Sequence, residues 1–449
     1  MTKHNTRRNS FLPHRPNPIT HNGHGLLHSE GVAVQLLRWP LLGSLVGVLA
    51  GVSSAVFLIS LEWVTEQSAK TDWLLYLLPV GGLVIGLAYH YGGGRSSEGN
   101  SLIIDEIHDP KAWVPRRMAP MVLIGTLSTH LLGGSAGREG TAVQMSGSLT
   151  DGASRILRLN PNDRRVMLIA SIAGGFGAVF GVPLAGAVFA LEVQSAKRVF
   201  GAALVASLTA SVVGNIVVHQ LGVHHSLLPQ LGHVGFSGVL IPKVMVAAMA
   251  FGIAGAGFIH LTHSVKHAFE RMVRWAPARP VIGGFMVIAL TLAVGDRTYN
   301  GLSLDLIDTS LHGGPVPTWG FALKLVFTAL TLGSGFVGGE VTPLFVIGAT
   351  LGVTLAGVLG APVSLFAALG FVAVFAGAAN APIACTIMGL ELFGPGAVVY
   401  FALACGGSYI FSTHHSIYAM ERDNAAEQPS WLARAINLTS PSQRTRAKP

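Results

Sequence analysis

Two acidic residues stand in glycine-rich turns of this chain. Glu139 lies within residues 133–149, GGSAGREGTAVQMSGSL, and Glu340 within residues 335–350, GFVGGEVTPLFVIGAT. Each turn separates apolar segments, and each Glu is followed two residues later by a threonine, Thr141 or Thr342. An ionised carboxylate in hydrocarbon is costly unless it is paired, reached by water or protonated. A helix that begins inside a bilayer presents unpaired N–H groups and the positive end of its dipole, worth about half a charge. An anion is the natural guest there. Gly140-Thr141 and Val341-Thr342 would supply amides at two such starts, with the Thr hydroxyls adding donors or capping their own helices. Asn100, in the GNSLI of residues 99–103, offers a third start, or an ordinary helix cap. Glu139 could act as a tethered anion that competes with a transported one and leaves when protonated, which would link anion and proton occupancy. The competing reading is a capping Glu held by Arg138. Glu340 allows the same two readings without a basic residue beside it.

The elements that must position these residues are written twice. A gapless alignment of the two turns pairs Gly134 with Gly335, Gly137 with Gly338, Glu139 with Glu340, Thr141 with Thr342 and Gly147 with Gly348. Further on, Pro183-Leu184-Ala185 is followed nine residues after the Pro by Glu192, and Pro382-Ile383-Ala384 by Glu391 at the same distance. Two paired signals in one order predict a duplicated membrane unit whose copies meet at a site of interrupted helices. Coincidence among abundant Gly and Ala is the alternative. Glu192 and Glu391 end apolar helices, and a structural role is expected for both, pairing with Arg or capping a loop.

Of 449 residues, 50% are hydrophobic and 11% charged, too few charges for a soluble surface, and 56 are Gly, which suits close helix packing. The apolar runs predict a polytopic membrane protein. Segments are expected at residues 36–64, 73–91, 118–132, 164–174, 182–192 and 199–218, then 239–269, 281–294, 319–332, 344–358, 363–377, 383–392 and 397–411. Many are shorter than the ~20 residues that cross a bilayer. They should end within it, buried by neighbours. The GGGRSSEGN of residues 92–100 should break a helix. Two copies, near 35–218 and 239–411, and a last segment to 422 make one domain between a polar His-rich tail, 1–34, and a short tail, 423–449.

Lys3, Arg7, Arg8 and Arg15 precede the first span and Arg434, Arg444, Arg446 and Lys448 follow the last, so the positive-inside bias predicts cytoplasmic termini in the cell (inner) membrane. Neither tail interleaves aromatics with its charges, which argues against nucleic acid. His4, His14, His21, His24 and His28 fit no compact zinc pattern, and no cofactor is called for. Cys385 and Cys405 lie in apolar segments, which argues against a disulfide framework. No apolar region precedes about residue 33, which argues against a cleaved signal peptide. Asn437-Leu438-Thr439 matches the glycosylation pattern but falls in a tail expected to be cytoplasmic.

GREGTAVQMSGSL resembles the GREGP segment of the CLC family of chloride channels and proton-coupled anion antiporters. GGEVTPLFVIGATLG resembles its GxFxP segment, and Ser416-Ile417-Tyr418 the late segment bearing the pore tyrosine. The resemblance covers roughly residues 35–422. It implies an all-α polytopic homodimer, each subunit an inverted-repeat bundle of tilted, partial and re-entrant helices, with its own anion path gated by Glu139. The departures are specific. Asn100 stands where family chloride transporters carry a GSGIP serine, GREGP has become GREGT, and the aromatic of GxFxP is replaced in Glu340-Val341-Thr342. These features resemble the fluoride/proton antiporter branch. Val193 stands where chloride/proton antiporters tend to carry an inward-facing glutamate, which raises Glu340 as a substitute.

Fluoride holds its water tightly, so a selective site must replace that water with close donors. The Asn100 amide, the Thr342 hydroxyl and the Tyr418 phenol could supply them. The expected function is fluoride export in exchange for protons, with a chloride channel or chloride/proton antiporter as the alternative. A remote third reading is an intramembrane serine hydrolase, since residues 133–137 formally match GxSxG with His130 nearby. A non-transporting scaffold would not need paired intramembrane carboxylates.

Overall fold

The computed structural model describes residues 32–194, 200–225, 228–412 and 416–418. Most of the expected N-terminal tail, with its basic residues and histidines, and the whole tail after 422 lie outside the described residues. The chain divides into two units, Met1–Arg38 and Trp39–Pro449. Apart from the opening turns of the first helix, every described helix belongs to the second.

The first half runs α1 (Val32–Lys70), α2 (Leu78–Leu87), α3 (Asn100–His108), α4 (Met118–Leu131), α5 (Glu139–Ile156), α6 (Pro161–Phe180), α7 (Pro183–Gln194) and α8 (Phe200–Gln220). The second runs α9 (Leu240–Met272), α10 (Ala278–Val294), α11 (Leu304–Leu311), α12 (Gly320–Gly333), α13 (Val341–Leu359), α14 (Val363–Ala379), α15 (Pro382–Phe393) and α16 (Val398–Phe411). The order of sizes repeats: α4 and α12 have 14 residues each, α5 and α13 have 18 and 19, α7 and α15 have 12 each. The packing repeats too, α5 on α6 as α13 on α14, α6 on α8 as α14 on α16, and α7 on α8 as α15 on α16. This is an all-helical, multi-span membrane protein. Among the described residues five helical stretches are long and apolar enough to cross a membrane, and the shorter apolar helices pack among them.

The glycine-rich run after α2 breaks the helix as expected, into a π turn (Ala88–Gly93) and a 3-10 turn (Gly94–Glu98) before α3. α6 is longer than the apolar run at 164–174 suggested. Pro161 occupies its first turn and the Asn160 side chain accepts from the Asp163 amide, so a capped polar turn precedes the apolar stretch. α11, LDLIDTSL, carries two Asp among its apolar residues, and no apolar run marked it.

Glycine decides how closely α1 meets α8. A Cβ on Gly43 would stand 2.7 Å from the Ala206 carbonyl oxygen, and one on Gly47 2.7 Å from that of Ala210. Such contact lets backbones touch where no hydrophobic force separates helix from lipid. On the outer side of α1, Leu41, Leu45, Val48, Val52, Val56, Ile59 and Trp63 are exposed at three- and four-residue spacing, a stripe suited to acyl chains. α14 is apolar all round and buried from Leu365 to Ala379, so it forms the centre.

α7 and α15 join the halves. The Leu184 and Ala185 amides at the start of α7 donate to Glu391 at the end of α15, both at 2.8 Å. The Ile383 and Ala384 amides at the start of α15 donate to Glu192 at the end of α7, at 3.0 and 2.8 Å. The expectation of an Arg partner or a loop cap is corrected: each carboxylate caps the helix of the other half, with the two helices antiparallel. Carboxylates suit those positions because they meet orphan amides and the positive dipole ends together.

Candidate anion site

The two glycine turns pair with each other. Gly137 N donates to Gly339 O at 2.7 Å and Gly339 N to Gly137 O at 2.8 Å, an isolated antiparallel bridge. The bridge brings the starts of α5 and α13 together. A Cβ on Gly339 would lie 3.0 Å from the amide nitrogens of both Glu139 and Gly140, so any side chain there would press on both helix-start amides.

Glu139 is 1% exposed and its carboxylate leaves its own helix to sit on the first turn of α13. Oε2 accepts from the Thr342 amide at 3.1 Å and from the Arg138 amide at 3.1 Å. Oε1 accepts from the Thr342 hydroxyl. The Arg138 guanidinium, expected to hold the carboxylate, stands back at 3.8 Å from Oε1. Glu139 is a cap, but of α13 in the other half.

Asn100 opens α3 after Gly99, whose φ of +63° suits glycine. Its amide nitrogen would be 3.0 Å from a Cβ on Gly140, and its Oδ1 is buried without a hydrogen-bond partner. Asn100, Glu139, Gly140, Val341 and Thr342 are therefore gathered where three helices begin. Thr141 contributes differently, because its hydroxyl is bonded to Thr126 Oγ1 of α4 at 2.6 Å. Glu340 is the residue before α13, and its side chain makes no cap bond. It is half-buried, with Lys266 of α9 within electrostatic reach.

Tyr418 follows α16 and is fixed through its neighbours: Ile417 N donates to Ala378 O at 3.0 Å and Ser416 Oγ to Ala379 O at 3.2 Å. Its ring meets Phe189 at 5.8 Å, and it lies within electrostatic reach of both Glu340 and Glu139. Phe176, Phe189, Phe345 and Phe375 form an apolar wall beside it, with Phe176 and Phe189 stacked at 4.4 Å. Sequence reasoning did not single out these rings. Pairs of Phe four apart, 176/180 and 371/375, were the available signal.

A cavity of about 1170 Å³ adjoins the turn, lined by Ser68, Asp72, His130, Gly133, Arg297 and Asn300 among others, and none of the expected site residues lines it. It reaches the first residue of the Glu139 turn. Asn300 Nδ2 donates to Gly133 O at 2.7 Å and Gly301 N to Gly134 O at 3.1 Å. The loop behind these bonds is pinned by Lys324 of α12, a fully buried ammonium that donates to Tyr299 O, Gly301 O and Ser303 Oγ at 3.2, 2.8 and 2.9 Å. A lone Lys inside the apolar run 319–332 was the overlooked sign.

The hydrolase reading fails here. Ser135 Oγ is bonded to Thr328 Oγ1 at 2.9 Å, while the His130 ring nitrogens face the carbonyl oxygens of Thr126 and Ala136. No base meets the serine.

Interrupted helices that start around one buried carboxylate define a membrane transport protein, and this chain belongs to the voltage-gated chloride channel, or CLC, family, whose profile matches residues 81–413. It is 44% identical over 416 residues to the chloride/fluoride channel protein of Pseudomonas syringae pv. tomato, covering 91% of each chain. Its structure is similar to the crystal structure of a CLC-type fluoride/proton antiporter, with a TM-score of 0.81, 32% identity, and 87% of this chain and 98% of that one covered. A slow cyanobacterial chloride/proton antiporter shares the fold at TM-score 0.70 and 17% identity, covering 87% and 97%.

Proposed function

We propose that this protein exports fluoride in exchange for protons. The observation that carries the reading is the Glu139 carboxylate on the start of α13, accepting from the Thr342 amide and hydroxyl. The Thr342 donors satisfied by this tethered anion are ones a small hard anion can use in its place. Protonation removes the charge that holds the side chain there, so the ionised carboxylate and a halide compete for Thr342, and a proton on Glu139 frees the place for the halide. Asn100 completes the site from a third helix start with its Nδ2 donor, which would stand 3.0 Å from a Cβ on Gly140. Gly140, Thr141 and Val341 belong to the same helix starts, Tyr418 closes the path, and Glu340 passes protons on its other side.

The transport domain spans residues 35–422 as two inverted repeats, 35–218 and 239–411, in a lipid bilayer, with both termini cytoplasmic and two copies forming a homodimer. The antiparallel caps between α7 and α15 support the inverted relation. The relative named as a chloride/fluoride channel favours a second reading, a passive pathway of the same family.

Flux from liposomes loaded with fluoride or chloride separates the readings. Fluoride efflux should exceed chloride efflux and drive protons inward against an imposed gradient. Equal halide rates, or fluoride movement with no proton movement, would sink the antiport reading. Cross-linking in liposomes should trap two copies.

A further inference from the structure

The helix that begins at Asn100 ends in a buried ion cluster that halide binding leaves unexplained. Glu106 and Asp151 are each 1% exposed, and Arg164 is 7%. Arg164 forks onto Asp151, Nε to Oδ1 at 2.6 Å and Nη2 to Oδ2 at 3.0 Å, and its Nη1 reaches Glu106 Oε2 at 3.1 Å. Glu106 also takes Arg95 Nη2 at 2.6 Å and the Lys111 amide at 3.1 Å, and Asp151 takes the Val114 amide at 2.6 Å. The Arg164 guanidinium lies 4.7 Å from the centre of the Trp113 ring. The next residue, Arg165, donates from Nε to the Ile107 carbonyl at 2.5 Å.

α3 has nine residues and is anchored through its last turn, to α5 by Glu106–Arg164–Asp151 and to α6 by both arginines. Such a cluster is weak as a source of stability, because desolvating its charges offsets their attraction. What it fixes is geometry, through forked bonds that allow little play. Arg165, on the carbonyl oxygens of Ile107 and His108, also meets the negative end of the α3 dipole, whose positive end is at Asn100.

We propose that Glu106, Asp151 and Arg164 are positioning residues for anion discrimination, holding α3 so that the Asn100 amide stands against Gly140. This rests on the reading of Asn100 as a halide donor. Loss of the cluster relaxes the preference for fluoride and leaves proton coupling at Glu139 in place.

The test compares Glu106→Gln, Arg164→Lys, Asn100→Ser and the double variant Asn100→Ser/Glu106→Gln in liposomes, with hydrogen exchange of the α3 amides measured on the same preparations. Either cluster variant should lower the fluoride-to-chloride flux ratio roughly fivefold or more, the scale of one misplaced hydrogen bond, and speed exchange in α3. The double variant should discriminate no worse than Asn100→Ser, since both act through one amide. Arg164→Lys keeps the charge but loses the fork, so it carries the test if Glu106→Gln does not fold. Unchanged exchange in α3, or an unchanged flux ratio in folded cluster variants while Asn100→Ser lowers it, overturns the positioning role and leaves the donor reading standing. An unchanged ratio in Asn100→Ser overturns the donor reading, and this proposal with it.

Discussion

A carboxylate at the first position of α5 would ordinarily serve its own helix, yet Glu139 reaches across to Thr342. This cross-over ties one side chain to two occupants. Glu139→Gln keeps the volume and cannot take up a proton at ordinary pH, so fluoride movement should stop or lose its proton; a pH electrode beside a fluoride electrode reads both. Proton-coupled flux at the parent rate would remove Glu139 from the mechanism. Thr342→Val deletes one donor to a charged partner, worth roughly 1.5–3 kcal/mol, and should weaken fluoride binding about tenfold or more, with Thr342→Ser restoring it. Isothermal titration checks the affinity. Glu139 and Thr342 were legible because both the turn and its echo carry them. The fate of Thr141 was not, since its partner Thr126 lies on another helix and no spacing announces a hydroxyl pair.

Short helices are defined by their ends, and those ends are where sequence reading gained and lost most. The apolar runs marked α4, α12, α15 and α16 within a few residues, while α6 was marked over only part of its length and α11, with its two Asp, not at all. The connection after α8 carries a further consequence. His225 donates from Nε2 to Ala178 O at 3.0 Å, and its ring stands over Gly181. Burial, with the nearby charges of Arg138 and His219, pushes its pKa down from 6.5 to about 4, against the opposing bond to Ala178. Between those values the unfolded chain holds a proton that the folded chain does not. The contribution is complete above about pH 6.5 and is lost as pH falls towards 4. Thermal unfolding in detergent should show a decline across that window that His225→Gln flattens; an identical decline in both proteins would clear His225.

At the scale of the molecule, the two halves are joined by, among other contacts, the Gly137–Gly339 bridge and the α7–α15 caps. Glu192→Gln and Glu391→Gln each weaken a pair of charge-assisted bonds at a helix start, so each should cost roughly 1–2 kcal/mol, as helix caps do. The two losses should add approximately, because the carboxylates serve different ends. Unfolding temperatures of the singles and the double check this, and a double no worse than one single would show that the caps are not separate supports.

The sequence by itself determined that the chain spans the membrane, that its glycine turn and its proline-to-glutamate spacing each occur twice, and that Glu139, Thr342 and Asn100 stand at helix starts. Composition, spacing and turn chemistry are local properties, and a chain carries them openly. Only the tertiary structure decided which start each carboxylate would cap, that Lys324 would brace the Glu139 turn, and that Arg164 would clamp the far end of α3. Those outcomes depend on which backbones approach closely enough to share donors, and no single segment contains that information.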